Sequence, residues 1–363
     1  MHERRSMGSI HWMALVILLV SQFTTSCVGD FIEPAGRASP EIDWVLIPST
    51  AATEAFWMSA TEVTYKQYVE YLNAALAAGT IHVDLTTQEV RNAEGLKMTS
   101  LDGSRVVKDH NGNGIFELEE MENPLNMSFL AYDDANHVFY IEDPATVDWQ
   151  QFFDRSVYPN VVDSMDDWYE LSGNKDGFVG EGDEDGELPD LEEIGSWPVN
   201  HITYYGAEAF AVFYGWELPT MAQWRVAASG GLDFVYATSD GTASDGIAWI
   251  NFDGPSRIPH KGHAQPAASK NPNPYGLYNM GGNVWEWVKD WYNGYEVFSR
   301  DKRTEDFFID DGLSDSEAFG KYLKGILGGS FNYFTDTMLS TWNHAARPQA
   351  GNDHFGFRVV RSD

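Results

Sequence analysis

The chain has 363 residues, enough for one large domain or two ordinary ones, and its 43% hydrophobic share supports a packed core. Its 23 basic and 55 acidic residues leave a formal charge of −32, which repels phosphate backbones and argues against a nucleic-acid partner. A single cysteine, Cys27, excludes an internal disulfide framework and a thiolate zinc site, and leaves no thiol elsewhere for nucleophilic or redox work.

The first predicted element is a targeting segment. Arg4 and Arg5 precede an apolar run, Trp12 to Val20, that is shorter than the roughly 20 residues a membrane-spanning helix needs. Residues 1–26 therefore read as a secretory signal peptide. The small residues before Cys27 resemble a bacterial lipoprotein box, in which Cys27 becomes the lipidated first residue of the mature chain. Thr24 departs from that pattern, which favours leucine there. Residues 27–43 then form a tether, and the expected location is the bacterial cell envelope, at the outer membrane or cell surface.

Strands are expected at Trp44 to Pro48 and at Phe56 to Val63. Thr64 with Gln67 makes a capping box, and Tyr68, Val69, Leu72, Ala75 and Leu76 recur at helical spacing until Gly79 stops the helix. From about 80 to 197 the chain turns acidic and rich in Asn and Gly, yet carries aromatic runs such as Val138 to Ile141. Those aromatics predict an insertion that packs on the common core and carries a few strands of its own. Two further helices follow, one capped by Thr203 with Ala207, Phe210, Ala211 and Tyr214 inward, one opened by Thr220 and Gln223. Loops and short strands fill the rest.

One loop in the insertion has metal-ligand spacing. Asp109, Asn111, Asn113, Glu117 and Glu120 fall at positions one, three, five, nine and twelve of an EF-hand-like loop, with Gly114 at six. Phe116 and the lack of flanking helices count against a true EF-hand, and a plain Asn-Gly turn is the competing reading. Asp183 to Asp190 is acidic with less ordered spacing, and His260, His263 and Asp253 are more simply solvated loop residues.

Six segments stand in an order that carries a family resemblance: Phe56 to Thr64, Pro198 to Thr203, Glu217 to Trp224, Tyr275 to Trp287, Leu327 to Phe331 and Phe355 to Arg358. Together they resemble the formylglycine-generating enzyme, or sulfatase-modifying factor, family. The resemblance implies an α+β, C-type-lectin-like fold with little regular secondary structure, spanning residues 44–362 with the acidic insertion outside the match. It also implies a copper(I) centre held by two cysteines shortly after the Gly-Gly-Ser motif. Here those positions are Tyr333 and Met338. A phenol and a thioether do not replace two soft thiolates, so no copper and no formylglycine synthesis are expected.

The resemblance further implies a Ca²⁺ site made by Asn279, the carbonyls of Gly282 and Val284, and Glu286, against the bland reading in which these residues brace a turn. A second family site, beginning here at Asn251 and Phe252, lacks its acidic partner. The expected function is a calcium-stabilised, lipid-anchored binding or structural component that meets a protein or glycan. Its rivals are a family enzyme using other chemistry, in which Arg347 and Arg358 hold a substrate carboxylate although core salt bridges are the favoured reading of both, and a retroelement-diversified ligand-binding protein.

Overall fold

Backbone amides at a helix start have no intrahelical acceptor, and the helices of this protein begin where a side chain supplies one. The computed structural model describes residues 38–101, 127–146, 189–243, 247–250, 263–292, 297–298, 323–333 and 335–362. Strands β1 (Trp44–Ile47) and β2 (Phe56–Ser59) lead into helix α1 (Tyr65–Ala77), whose Thr64 and Gln67 form the expected reciprocal capping box. Next come β3 (Ile81–Asp84), β4 (Glu89–Asn92) and β5 (Lys97–Ser100), then the hairpin β6 (Leu130–Asp133) and β7 (Val138–Ile141).

A short helix, α2 (Leu191–Ser196), is capped by Asp190, whose carboxylate accepts from the Glu193 amide. Helix α3 (Tyr204–Phe213) follows its Thr203 cap, and α4 (Met221–Ala228) carries the second capping box, Thr220 with Gln223. The remainder is β8 (Trp285–Tyr292), β9 (Val297–Phe298), β10 (Leu323–Leu327), β11 (His344–Ala346), β12 (Phe355–Gly356) and β13 (Val360–Arg361).

Two sheets join distant parts of the chain. In the first, β2 lies between β1 and β13, antiparallel to both. In the second the order is β11-β10-β8-β12, with β12 parallel to β8. The strands β3–β5 and β6–β7 form separate small sheets.

The acidic stretch nevertheless shares the main core. Val90, Met98, Phe129 and Phe139 are buried in one cluster with Tyr65, Tyr68 and Tyr71 of α1, Phe210 of α3 and Trp287 of β8. Tyr68 stacks on Phe210 at 5.9 Å and meets Phe357 edge-on at 6.0 Å. The Asn73 side chain completes the attachment, donating to the Phe139 carbonyl at 2.9 Å and accepting its amide at 2.8 Å. At Gly206 a Cβ would stand 2.3 Å from the Met98 carbonyl oxygen, so α3 approaches β5 as closely as only glycine permits. A second cluster, with Met58, Trp224, Leu277, Val288 and Leu327, packs between the first sheet, α4 and β8.

Candidate functional site

The two faces of β8 carry different chemistry, because alternate side chains of a strand point to opposite sides. Trp285 and Trp287 are fully buried, and both belong to the main aromatic core. Glu286 between them turns to the other face and is also fully buried.

There it meets Arg358. The guanidinium donates from Nε to Glu286 Oε2 and from Nη2 to Glu286 Oε1, each at 2.7 Å, and Trp224 Nε1 donates to the same Oε2 at 2.7 Å. Arg358 spends its other N–H groups on the carbonyls of Ser59, Ala60 and Tyr278. Burial alone weakens its hold on the proton, but the Glu286 and Glu62 carboxylates more than offset this and raise its pKa.

This arrangement bears on two expectations. Glu286 does not stand open to Ca²⁺: both its oxygens serve Arg358, and a dication beside a guanidinium is repelled. Asn279, on the preceding turn, points its amide nitrogen at the Ala267 carbonyl (2.9 Å) and toward Glu62 (3.4 Å). The carbonyl-bearing positions Gly282 and Val284 do lie in this buried turn, where Asn279, Gly282 and Asn283 all take positive φ. The ligand set carried over by motif therefore does not fit as a set. Nor is Arg358 available to a substrate carboxylate, being wholly buried and fully committed.

Glu62 is the residue that sequence reasoning missed. It is fully buried beside this pair, with its carboxylate accepting from the Asn283 amide at 3.1 Å and, weakly, from Asn279. Its pKa is raised to about 8, by desolvation first, with Arg358 opposing the rise and Glu286 adding to it. Two interior carboxylates thus share one guanidinium. A glutamate inside an otherwise weakly polar run, Ala60 to Val63, is the available signal, but its partners lie more than 200 residues away.

The positions of the missing cysteines fall in different packing clusters. Met338 is fully buried with Ala248 and Ile250 and is no open ligand. Tyr333 is half-buried and lies against the main core, edge-on to Trp285 at 5.3 Å. Around it stand His344, on β11, and His354, just before β12. Tyr333 is 6.3 Å from the first ring and 5.4 Å from the second, and His344 lies 5.1 Å from Trp285. His354 Nδ1 lies 2.5 Å from Asp353 Oδ1, and both residues are buried. Neither histidine stands out in the sequence, because no local spacing relates them. The space after the Gly-Gly-Ser turn is thus filled by phenol, indole and imidazole.

Among the described residues no group of three or more His, Cys, Asp or Glu is arranged to hold a metal ion, and no helix is long and apolar enough to cross a membrane. Cys27, the loop with Asp109, Asn111, Asn113, Glu117 and Glu120, the residues Asn251, Phe252, Asp253 and His260, and most of the 183–190 run lie outside the described residues. His263 is described: it is buried and stacks on Trp197 at 4.7 Å, a core residue rather than a solvated one.

Comparison with known proteins bears on the whole domain. A family model, sulfatase-modifying factor enzyme 1-like domain, matches residues 37–363. The chain is 31% identical over 166 residues to the serine/threonine-protein kinase pkn1 of Chlamydia pneumoniae, covering 46% of this chain and 24% of that protein. It is 30% identical over 188 residues to the formylglycine-generating enzyme of Streptomyces coelicolor, covering 48% of this chain and 56% of that protein. The chain thus spans about a quarter to a half of these relatives, and their activities do not pass to it. The solved structure of CarF aligns with 89% of this chain and 99% of its own, at 17% identity and a TM-score of 0.44. With the family model running through β8, the Gly-Gly-Ser turn and the C-terminal strands, the chain belongs to the sulfatase-modifying factor enzyme 1-like family, and its fold mixes helix and strand.

Proposed function

We propose that this protein is an exported, lipid-anchored family member that binds a protein or glycan partner in the cell envelope and does not oxidise cysteine. The observation that carries the reading is the occupation of the two cysteine positions, with Met338 sealed in a small apolar cluster and Tyr333 packed on Trp285 and His354. A bis-thiolate copper(I) centre requires two soft anions facing one space, and a neutral thioether sealed in an apolar cluster together with a phenol does not supply them. The leader and Cys27 support export and anchoring by their sequence pattern alone.

The test is direct. Purified protein, copper and a cysteine-containing sulfatase peptide are expected to give no oxygen uptake and no aldehyde; formation of the aldehyde sinks the reading. Palmitate labelling of Cys27, lost in Cys27→Ser, tests the anchor.

Calcium enters the proposal at the loop from Asp109 to Glu120, whose oxygen spacing supports it. Calcium at a hundred times its dissociation constant stabilises a folded protein by about 2.7 kcal/mol. A rise in melting temperature with Ca²⁺ is therefore expected. Its disappearance in Glu120→Gln would assign the ion to the loop; no rise in the parent protein removes calcium from the proposal.

A further inference from the structure

The imidazoles of His344 and His354 hold the C-terminal side of the cleft together, and their position suggests what acid would do to it. His344 begins β11, the outermost strand of its sheet, and pairs with Ile326 of β10. Its ring lies on Trp285 and near Tyr333, so the edge strand is held by backbone bonds to β10 and by aromatic contact with Trp285 of β8. His354 packs on the other side of Tyr333, against Phe355 at 4.8 Å, and its carbonyl accepts the Trp285 amide at 2.8 Å. One phenol thus has both imidazoles beside it, one on β11 and one on the segment leading into β12.

We propose that His344, packed on Trp285 and Tyr333 with His354 on the same phenol, forms an acid-sensitive latch that frees β11 from the edge of its sheet when the His344 imidazole is protonated. This does not depend on the partner-binding reading above. A neutral imidazole packs against indole and phenol without an unpaired charge, whereas a second cation in the same desolvated space repels the first.

The charged groups on the packed elements are few. Asp353 stands against His354 Nδ1 and not in the His344 contacts. On β10 the Lys324 ammonium lies between the rings of Tyr204 and Trp291, at 4.1 and 4.0 Å, and donates to the Lys289 carbonyl. Arg347 follows β11 directly. β8 presents the uncharged Trp285, and the 330–333 turn presents Tyr333 and Asn332. None of these contacts gives a protonated His344 an anion.

The titration agrees in direction. Burial first, then the charge of His354, holds His344 below its ordinary 6.5. A released His344 takes up a proton below pH 6.5 that the packed one refuses, so packing is complete above that pH and is lost as pH falls. The opening equilibrium then grows by at most about tenfold for each step of one in pH until the packed ring itself titrates.

Amide hydrogen exchange, corrected for the intrinsic pH dependence of exchange, tests this at pH 7.5 and 5.5. Protection of residues 342–348 is expected to fall several-fold at the lower pH while α1 stays protected. His344→Gln should abolish that dependence, and His354→Gln should reduce it. Near-UV circular dichroism at pH 7.5 establishes that each variant is folded; should His344→Gln not fold, His354→Gln alone decides by the size of its slope. Equal protection of β11 at both pH values, equal loss in α1, or an unchanged slope in His354→Gln would overturn the latch.

Discussion

The two sides of β8 solve opposite problems with adjacent residues. On the side of Glu286 two carboxylates and one guanidinium are buried together, and the fold must manage an excess of negative charge. On the side of Trp285 two imidazoles are packed among aromatic rings, and the fold must avoid an excess of positive charge. The contrast teaches that the same strand is strained by alkali on one face and by acid on the other. The carboxylate face acts through a shared Arg358 reached by long side chains; the aromatic face acts through ring packing that favours a neutral His344.

The sharpest way to break this comparison is to remove its one interior cation. Arg358→Met leaves Glu286 and Glu62 buried without a counter-charge. Losing one partner of a buried pair costs about 3–5 kcal/mol, and urea unfolding at pH 7 should show at least that loss or no folded protein. Glu286→Gln should cost less at that pH, since Arg358 then still faces Glu62.

Glu62→Gln works the other way. In the native state Glu62 keeps its proton up to about pH 8, whereas an unfolded chain releases it near 4.5. Between those values the native state binds more protons, so its contribution is full below about 4.5 and declines as pH rises through 8. A tenfold difference in proton affinity between native and unfolded chains is worth about 1.4 kcal/mol, and the buried amide of the variant carries a desolvation cost of its own. The variant is therefore expected to be more stable than the parent at pH 8 by roughly 2–3 kcal/mol and indistinguishable near pH 4. Identical stability at both pH values would show that Glu62 is ionised and compensated.

On the aromatic face a single truncation should cost less. Tyr333→Ala removes a half-buried ring from Trp285 and His354, and a loss of about 1–2 kcal/mol is expected in thermal or urea unfolding. The smallest effect belongs away from β8. Thr220→Ala deletes the hydroxyl that accepts the Gln223 amide at the start of α4 and should cost about 1 kcal/mol. That variant measures how far any pH slope is peculiar to the strand.

The parts of this molecule legible from the sequence are the local ones. Thr64 with Gln67 and Thr220 with Gln223 lie three residues apart, and their hydrogen bonds close within one turn. Thr203 and Gly215 likewise mark the ends of α3. Helix α2 escapes notice because two turns in an acidic stretch have no visible period. The candidate site is half legible. Asn279, Gly282 and Glu286 show themselves as a turn of special geometry, but whether Glu286 grips a cation or an arginine depends on Arg358, 72 residues further on. His344, Asp353 and His354 are invisible for the same reason: only the pairing of β8 with β10 and β12 brings them to one place.

Arg358 has one more consequence, for the order in which the molecule is made. Its guanidinium caps carbonyls at 59 and 60, and β13 just beyond it completes the sheet around β2. Contacts separated by some three hundred residues form slowly, after the intervening loops have closed. While it emerges from the ribosome the polypeptide therefore lacks its final clasp, and nascent chains stalled before residue 358 should remain protease-sensitive across their whole length.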